Sequence, residues 1–224
     1  MTAMAQRPIL AFDVNETLLS LSPIRTRLKE IFGENPPTGE WFARMLHGSL
    51  VANALDQYRD FGDIGVEALL AVAGRHGVKL RGEVAVEVVD TMRRLPPHPD
   101  VYNAMERLFD AGFNMIALTN GGTEAANAQI ENAGLHIFLR RVVSVEEVRR
   151  FKPDALPYRH AAQLVAADIG DLMLVAAHDW DCAGAMAAGA QAAYITRPGV
   201  VWGLPVDPPP LVAKDIKELA DALI

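Results

Sequence analysis

Pro8-Ile9-Leu10-Ala11-Phe12-Asp13-Val14-Asn15-Glu16-Thr17-Leu18 opens as a compact apolar run and turns polar at Asp13. The run reads as a buried strand. An Asp that closes a buried strand stands at the carboxyl edge of its sheet, where open α/β folds keep their chemistry. A later run, Leu172–Ala176, ends in the same way, on His178-Asp179-Trp180-Asp181. Further apolar runs at Asn114–Thr119 and Ala192–Thr196 look alike. Helical patterns at Val101–Ala111, Thr123–Ala133, Ala155–Ala167 and Cys182–Ala188 lie among them. Strands alternating with helices of this length predict an α/β fold with a doubly wound, mostly parallel Rossmann-like sheet. Gly112, Gly134 and Gly189 sit just past helical runs, where left-handed caps are common.

The stretch from Leu19 to about Arg94 breaks the alternation and reads as helix after helix. Ser22-Pro23 reads as an N-cap with a first-turn proline, and Gly33 as the stop. Thr38 caps a helix carrying Trp41, Arg44 and His47; Ile64–Arg75 and Glu83–Arg93 are two more amphipathic segments. Pro96-Pro97-His98-Pro99 is a stiff connector back to the sheet. The expected organisation is a Rossmann-like core from residues 1–18 and 96–224, with a helical cap from 19–95. Inserted directly after the first strand, the cap lies over whatever Asp13 does. Asp207-Pro208-Pro209-Pro210 is a turn, and Ala213–Ile224 a closing helix.

Composition narrows the function. The chain has 224 residues, half of them apolar and 22% charged, long enough to bury a full core. A net charge of −7 with no basic run argues against nucleic acid as a partner. A single cysteine, Cys182, cannot form an internal disulfide and fits a reducing compartment; it reads as a small buried residue. Met1 to Pro8 lacks the apolar stretch of a signal peptide, and no run reaches the ~20 residues of a membrane span. The expectation is a cytoplasmic protein with no membrane partner.

Polar groups close four successive strands. Thr119-Asn120-Gly121-Gly122 is a turn able to present backbone N–H groups to an anion. Phe151-Lys152-Pro153 follows another short apolar stretch, Arg141–Val145. A lysine beside Asp13 holds that carboxylate ionised. Asp181 follows the Leu172–Ala176 strand. Any one of these is equally well a helix cap or a solvated strand end; the set at one sheet edge points to a site. His47, His76, His136 and His160 show no metal-ligand spacing. Glu146-Glu147 with Arg149-Arg150 reads as a solvated face. Trp41, Phe42, Leu46 and Trp180 either wall a pocket for a short acyl chain or belong to the core.

The ordered series Asp13…Thr17, Leu118-Thr119-Asn120-Gly121, Lys152-Pro153…Tyr158 and Trp180-Asp181…Gly184-Ala185 resembles the haloacid dehalogenase superfamily, most closely its type II 2-haloacid dehalogenases. Each motif is weak alone, and the set spans nearly the whole chain. The resemblance implies Asp13 as nucleophile, and Thr119 and Lys152 orienting it and balancing its charge. It implies Asn120 receiving the halide, and Tyr158 and Asp181 supporting the lysine and the carboxylate. Arg44, near Trp41, falls about where the family brings down an arginine for halide and carboxylate. The resemblance also allows a homodimer through the cap helices.

Departures from the family sharpen the reading. Phosphatases of the superfamily carry a second Asp where this chain has Asn15, which cannot donate an acid proton. They usually place another acid where His178 stands, and Mg²⁺ prefers hard oxygen ligands. Type II dehalogenases resemble Asp-x-Tyr-Gly-Thr and Ser-Ser-Asn-x-Trp-Asp; here Asn15-Glu16 and Ala176-Ala177-His178 replace parts of both. Glu16 and His178 are expected to pair, the carboxylate fixing an imidazole that acts as base. The alternatives are a solvated loop charge and a core histidine.

The expectation is a cofactor-free, metal-free hydrolase of short 2-haloalkanoic acids. Asp13, Glu16, Thr17, Arg44, Thr119, Asn120, Lys152, Tyr158, His178 and Asp181 are its catalytic set. Asn15, Trp41, Arg44, Asn120 and Trp180 contact the substrate. The rivals are a Mg²⁺-dependent phosphatase on the same fold and a non-catalytic relic.

Overall fold

A computed structural model describes residues 7–224; Met1–Gln6, part of the stretch read for a leader, lie outside it. Six strands form one sheet in the order β3-β2-β1-β4-β5-β6. They are β1 (Ile9–Phe12), β2 (Met115–Thr119), β3 (Arg141–Ser144), β4 (Leu172–Ala176), β5 (Gln191–Ile195) and β6 (Leu211–Ala213). Every neighbouring pair is parallel. β1 lies between β2 and β4, so the strand order reverses beside it. The crevice at such a reversal is where open α/β sheets bind ligands, and Asp13 is the first residue beyond β1.

Alternation along β1 explains the layers. Leu10 and Phe12 join the core on one face of the sheet, Ile9 and Ala11 that on the other, as a period of two requires. On the first face pack α5 (Val101–Asp110) and α9 (Ile216–Leu223), together with α6 (Thr123–Asn132). On the second pack α7 (Ala155–Leu164) and α8 (Asp179–Ala188).

Between β1 and α5 the chain forms α1 (Ser22–Phe32), α2 (Thr38–Ala54), α3 (Phe61–Arg75) and α4 (Gly82–Asp90), then a 3-10 turn at Thr91–Arg94. Gly33 ends α1 with φ 87°, a left-handed value that glycine adopts without Cβ strain. Two expected caps are displaced. Ser22 is the first residue of α1 and Leu21 precedes it without a side-chain bond. Thr38 lies inside α2, and its buried hydroxyl has no partner. In both places proline's fixed φ helps set the helix start. α3 begins three residues before the expected Ile64, because Asp60 caps it by accepting from the Gly62 N–H. α8 likewise begins at Asp179 rather than Cys182. The tail holds a short strand, β6, that its prolines concealed. No helix among the described residues is long and apolar enough to cross a membrane.

Candidate active site

Three adjacent strands deliver the site. Asp13 leaves β1, Asn120 leaves β2, and Ala177 and His178 leave β4. Lys152 arrives on the loop after β3. All are buried or nearly so. Lys152 Nζ donates to Asp13 Oδ1 at 2.9 Å, to Asp181 Oδ2 at 2.5 Å and to the Leu118 carbonyl at 3.0 Å. Those bonds use all three ammonium protons. The Tyr158 hydroxyl donates to Asp181 Oδ1 at 2.6 Å. Gly184 permits this approach: a Cβ there would lie 2.8 Å from Tyr158 Oη and collide with Pro153.

The charges follow from this pairing. Burial works to raise the Asp13 pKa, but Lys152 and His178 prevail and hold it well below the usual carboxylate range. Burial also opposes the charge on Lys152, yet its two carboxylates keep its pKa above the ordinary value. Burial and the neighbouring Asp13 lift Asp181, against the pull of Lys152. Asp13 is therefore held ionised.

The polar loop after β1 reaches across to β4. Thr17 Oγ1 donates to Asp13 Oδ2 at 2.7 Å and accepts from the Ala177 N–H at 2.9 Å. Glu16 holds a left-handed backbone, φ 62°. Non-glycine residues enter that region rarely, and those that do often mark function. The turn is held from outside. Arg197 Nη2 donates to the Thr17 carbonyl at 2.8 Å, and His98 Nε2 lies 3.2 Å from the Glu16 carbonyl. So held, Glu16 Oε2 stands 3.3 Å from His178 Nε2, while His178 Nδ1 stands 3.2 Å from Asp13 Oδ2. The imidazole is stacked between the rings of Phe42 and Trp180. Burial disfavours its charge, but hydrogen bonds and attraction to both carboxylates push its pKa up to about 10.

Asp13, Asn15, Asn120, His178 and Trp180 line a cavity roofed by Phe42, Leu46 and Phe61 from α2 and α3. Phe151, next to Lys152, is gripped by the Asn53 side chain of α2, which donates to its carbonyl and accepts from its N–H.

Three expected residues fall elsewhere. Arg44 is exposed on α2, outside the cavity lining. The face of α2 that meets the core carries Trp41, Phe42 and Met45, and Arg44 lies off it. Trp41 is fully buried and donates to the Gly65 carbonyl at 2.9 Å, so it joins cap helices rather than walling the cavity. The Thr119 hydroxyl accepts from the Gly121 N–H at 3.1 Å; Thr17 is the hydroxyl on Asp13. Of the turn expected to meet an anion, the Gly121 N–H is taken by Thr119; the Thr123 N–H just beyond it is taken by Glu146 Oε2 at 2.8 Å. Asp179 faces away and accepts from the Trp180 and Gly203 N–H groups. The Cys182 thiol is buried and its pKa is raised by that burial.

Sequence reading passed over Phe61, Asn53, Gln129 and Arg197. Gln129 carried a signal: it is a polar residue on the buried side of α6, between Ala126 and Ile130.

Residues 8–189 match the family model of haloacid dehalogenase-like hydrolases. The (S)-2-haloacid dehalogenase of Pseudomonas sp. (strain YL) is 26% identical over 198 residues, 86% of this chain and 84% of that one. Haloacetate dehalogenase H-2 of Moraxella sp. (strain B) is 25% identical over 198 residues, 86% of this chain and 87% of its own. The structure of the L-2-haloacid dehalogenase of Xanthobacter autotrophicus with chloropropionic acid covalently bound superposes with a TM-score of 0.89. It is 20% identical and covers 96% of this chain and 98% of that one.

Proposed function

The chain belongs to the haloacid dehalogenase-like hydrolases, and from that premise we propose that it hydrolyses short 2-haloalkanoic acids through an ester on Asp13. The observation that carries this reading is an ionised, buried Asp13 facing a small cavity, with a histidine–glutamate pair at its other oxygen. Relatives named for dehalogenation of haloacids support the substrate class.

Asp13 attacks the carbon that bears halogen, and the C–X electron pair leaves with the halide. Esterification removes the Asp13 charge. His178 then loses a partner that kept it protonated and releases that proton to solvent. The neutral imidazole, oriented by Glu16, takes a proton from water as hydroxide adds to Asp13 Cγ. Collapse expels the hydroxy acid's oxygen, which recovers the proton from His178. Asp13 is left as a carboxylic acid and passes its proton to His178, which restores the carboxylate and the imidazolium. One haloacid and one water thus give one hydroxy acid, one halide and one proton. Inversion at carbon converts an L substrate into a D product.

The phosphatase alternative lacks donors for its metal. Both Asp181 oxygens accept from Lys152 and Tyr158, and both Asp13 oxygens are paired. The Asn15 oxygen accepts from Gln129. No metal-holding cluster of His, Cys, Asp and Glu occurs among the described residues.

Halide release from chloroacetate and 2-chloropropionate, run beside phosphate release with and without Mg²⁺, tests the proposal. The expected result is halide release that a chelator leaves unchanged. Phosphate release strictly dependent on Mg²⁺, with no halide from any haloacid, would overturn it.

A further inference from the structure

Gly122 ends the polar turn after β2, and the chemistry at Asp13 leaves it without a role. Its backbone, φ −60° and ψ 154°, is one that any residue adopts. The glycine is therefore not there for conformational freedom. It is there for space: a Cβ at Gly122 would lie 2.6 Å from Asp60 Oδ2. Asp60 belongs to the cap and Gly122 to the core, so the cap rests on the core at this point.

Asp60 has little freedom to give way. Its Oδ1 accepts from the Gly62 N–H at 2.7 Å and caps α3. Swinging the carboxylate aside surrenders that bond. Glu146 Oε2, tied to the Thr123 N–H at 2.8 Å, lies 3.7 Å from the same Cβ position, and its like charge opposes a sideways shift. The next residue is Phe61, first in α3, whose ring roofs Asp13. One turn on, α3 is fixed to α2 by the Trp41 bond to the Gly65 carbonyl. A push on Asp60 therefore falls on the first turn of α3, the turn that carries Phe61.

Phe61 and Asn15 line two cavities. The one at Asp13 is about 10 Å³, near the least that admits one water. The other, walled by Met45, Val66, Val89 and Met92, is about 220 Å³. We propose that Gly122 is a specificity-determining residue. It seats Asp60, keeps the Phe61 ring low as the partition between the two spaces, and so limits the substituent beside the halogen to hydrogen or methyl. The identity of the substrate rests on the dehalogenase reading; the seat and the partition do not.

Wild type is compared with Gly122→Ala and with the double variant Asp60→Gly/Gly122→Ala. Glycine caps a helix almost as well as aspartate, and it removes the carboxylate that the new methyl meets. Halide release is measured with chloroacetate, 2-chloropropionate and 2-chlorobutanoate. Phe61 ring resonances, assigned by their absence from Phe61→Leu, report the roof without turnover, because the Phe151 ring lies 5.8 Å away.

One methylene more or less in an apolar pocket is worth roughly 10–200-fold in kcat/KM. The ratio of kcat/KM for 2-chlorobutanoate to that for chloroacetate should therefore rise about tenfold or more in Gly122→Ala, and the Phe61 resonances should shift. Both should return toward wild type in the double variant. An unchanged ratio in a folded, halide-releasing Gly122→Ala protein, or unshifted Phe61 resonances, would overturn the proposal; a lower melting temperature alone would mean that Asp60 had merely let go of Gly62. A raised ratio that persists in the double variant would overturn it too, since the contact with Asp60 would not be the cause. Phe61 shifts that follow the expected pattern in a protein releasing no halide would retain the roof and dismiss the dehalogenase reading.

Discussion

Asp13→Asn places a neutral carboxamide where the mechanism forms an ester, so it isolates the charge step from the chemistry. In the free protein His178 lies 3.2 Å from Asp13 Oδ2 and 3.3 Å from Glu16 Oε2, with its side chain 12% exposed. Burial resists its charge, but the carboxylates win and its pKa reaches about 10. Attraction across 3.2 Å at an effective dielectric constant of about 20 is about 5 kcal/mol. Removing it should bring the His178 pKa down strongly, toward the ordinary imidazole range. That range suits a base near neutrality. The assay is a pH titration of the His178 imidazole by ¹³C NMR, assigned by its absence from His178→Asn. Stability supplies the sign. A folded-state pKa raised above the unfolded value of ~6.5 contributes in full below ~6.5 and is lost as pH climbs toward 10. The melting advantage of wild type over His178→Asn should therefore shrink across that window. Wild-type titration near 6.5, or a pKa near 10 that persists in Asp13→Asn, would refute the charge switch.

The two chemical steps should separate in His178→Ala. Asp13 still displaces halide once, so a burst of one equivalent precedes a slow phase. Loss of a general base commonly costs ~10²–10⁴-fold, enough for mass spectrometry to find the acyl group on Asp13. Normal turnover, or loss of the burst itself, would remove His178 from the second step. Arg44→Ala, on the exposed side of α2, should change halide release by less than about 0.5 kcal/mol, the range of ordinary surface substitutions; a large loss in steady-state kinetics would mean that the cap closes further on substrate.

The sheet was legible because its strands are short apolar runs that end in polar groups. Leu172–Ala176 falls where expected, and β1 is Ile9–Phe12, inside the expected run. β6 was hidden because three residues after a proline turn carry little period-two signal. Within the site, Lys152 could be placed near Asp13 because parallel strands align their carboxyl ends. The proximity of Glu16 to His178 was foreseen from their places after β1 and β4, which proved to be neighbours. Arg44 was misplaced because helical phase inside a cap depends on its packing partners. A shift of one or two positions in α2 separates the wall residue Phe42 from the solvent face that carries Arg44. Thr17 supplies the hydroxyl expected from Thr119 for a similar reason: which hydroxyl reaches Asp13 depends on the turn after β1, whose left-handed Glu16 a sequence does not announce.

What stayed wholly outside sequence reading was the polarity of neutral groups. Asn15 was read as the absence of an acid, a statement about what it cannot donate to a leaving alcohol. Which way its amide points depends on Gln129, 114 positions away, and on the carbonyl of Met92 beyond that. An amide carries its donor and acceptor at nearly equal reach, so residue type leaves its sign open until the last member of the chain is a group that cannot rotate. Here that member is backbone on both sides, Met92 O for Asn15 and Lys152 N for Asn120. Charged residues are read more easily, since lysine and aspartate keep their sign wherever they fold. In this site the charged residues hold one another, and the neutral amides beside them are those whose sign the fold itself decides.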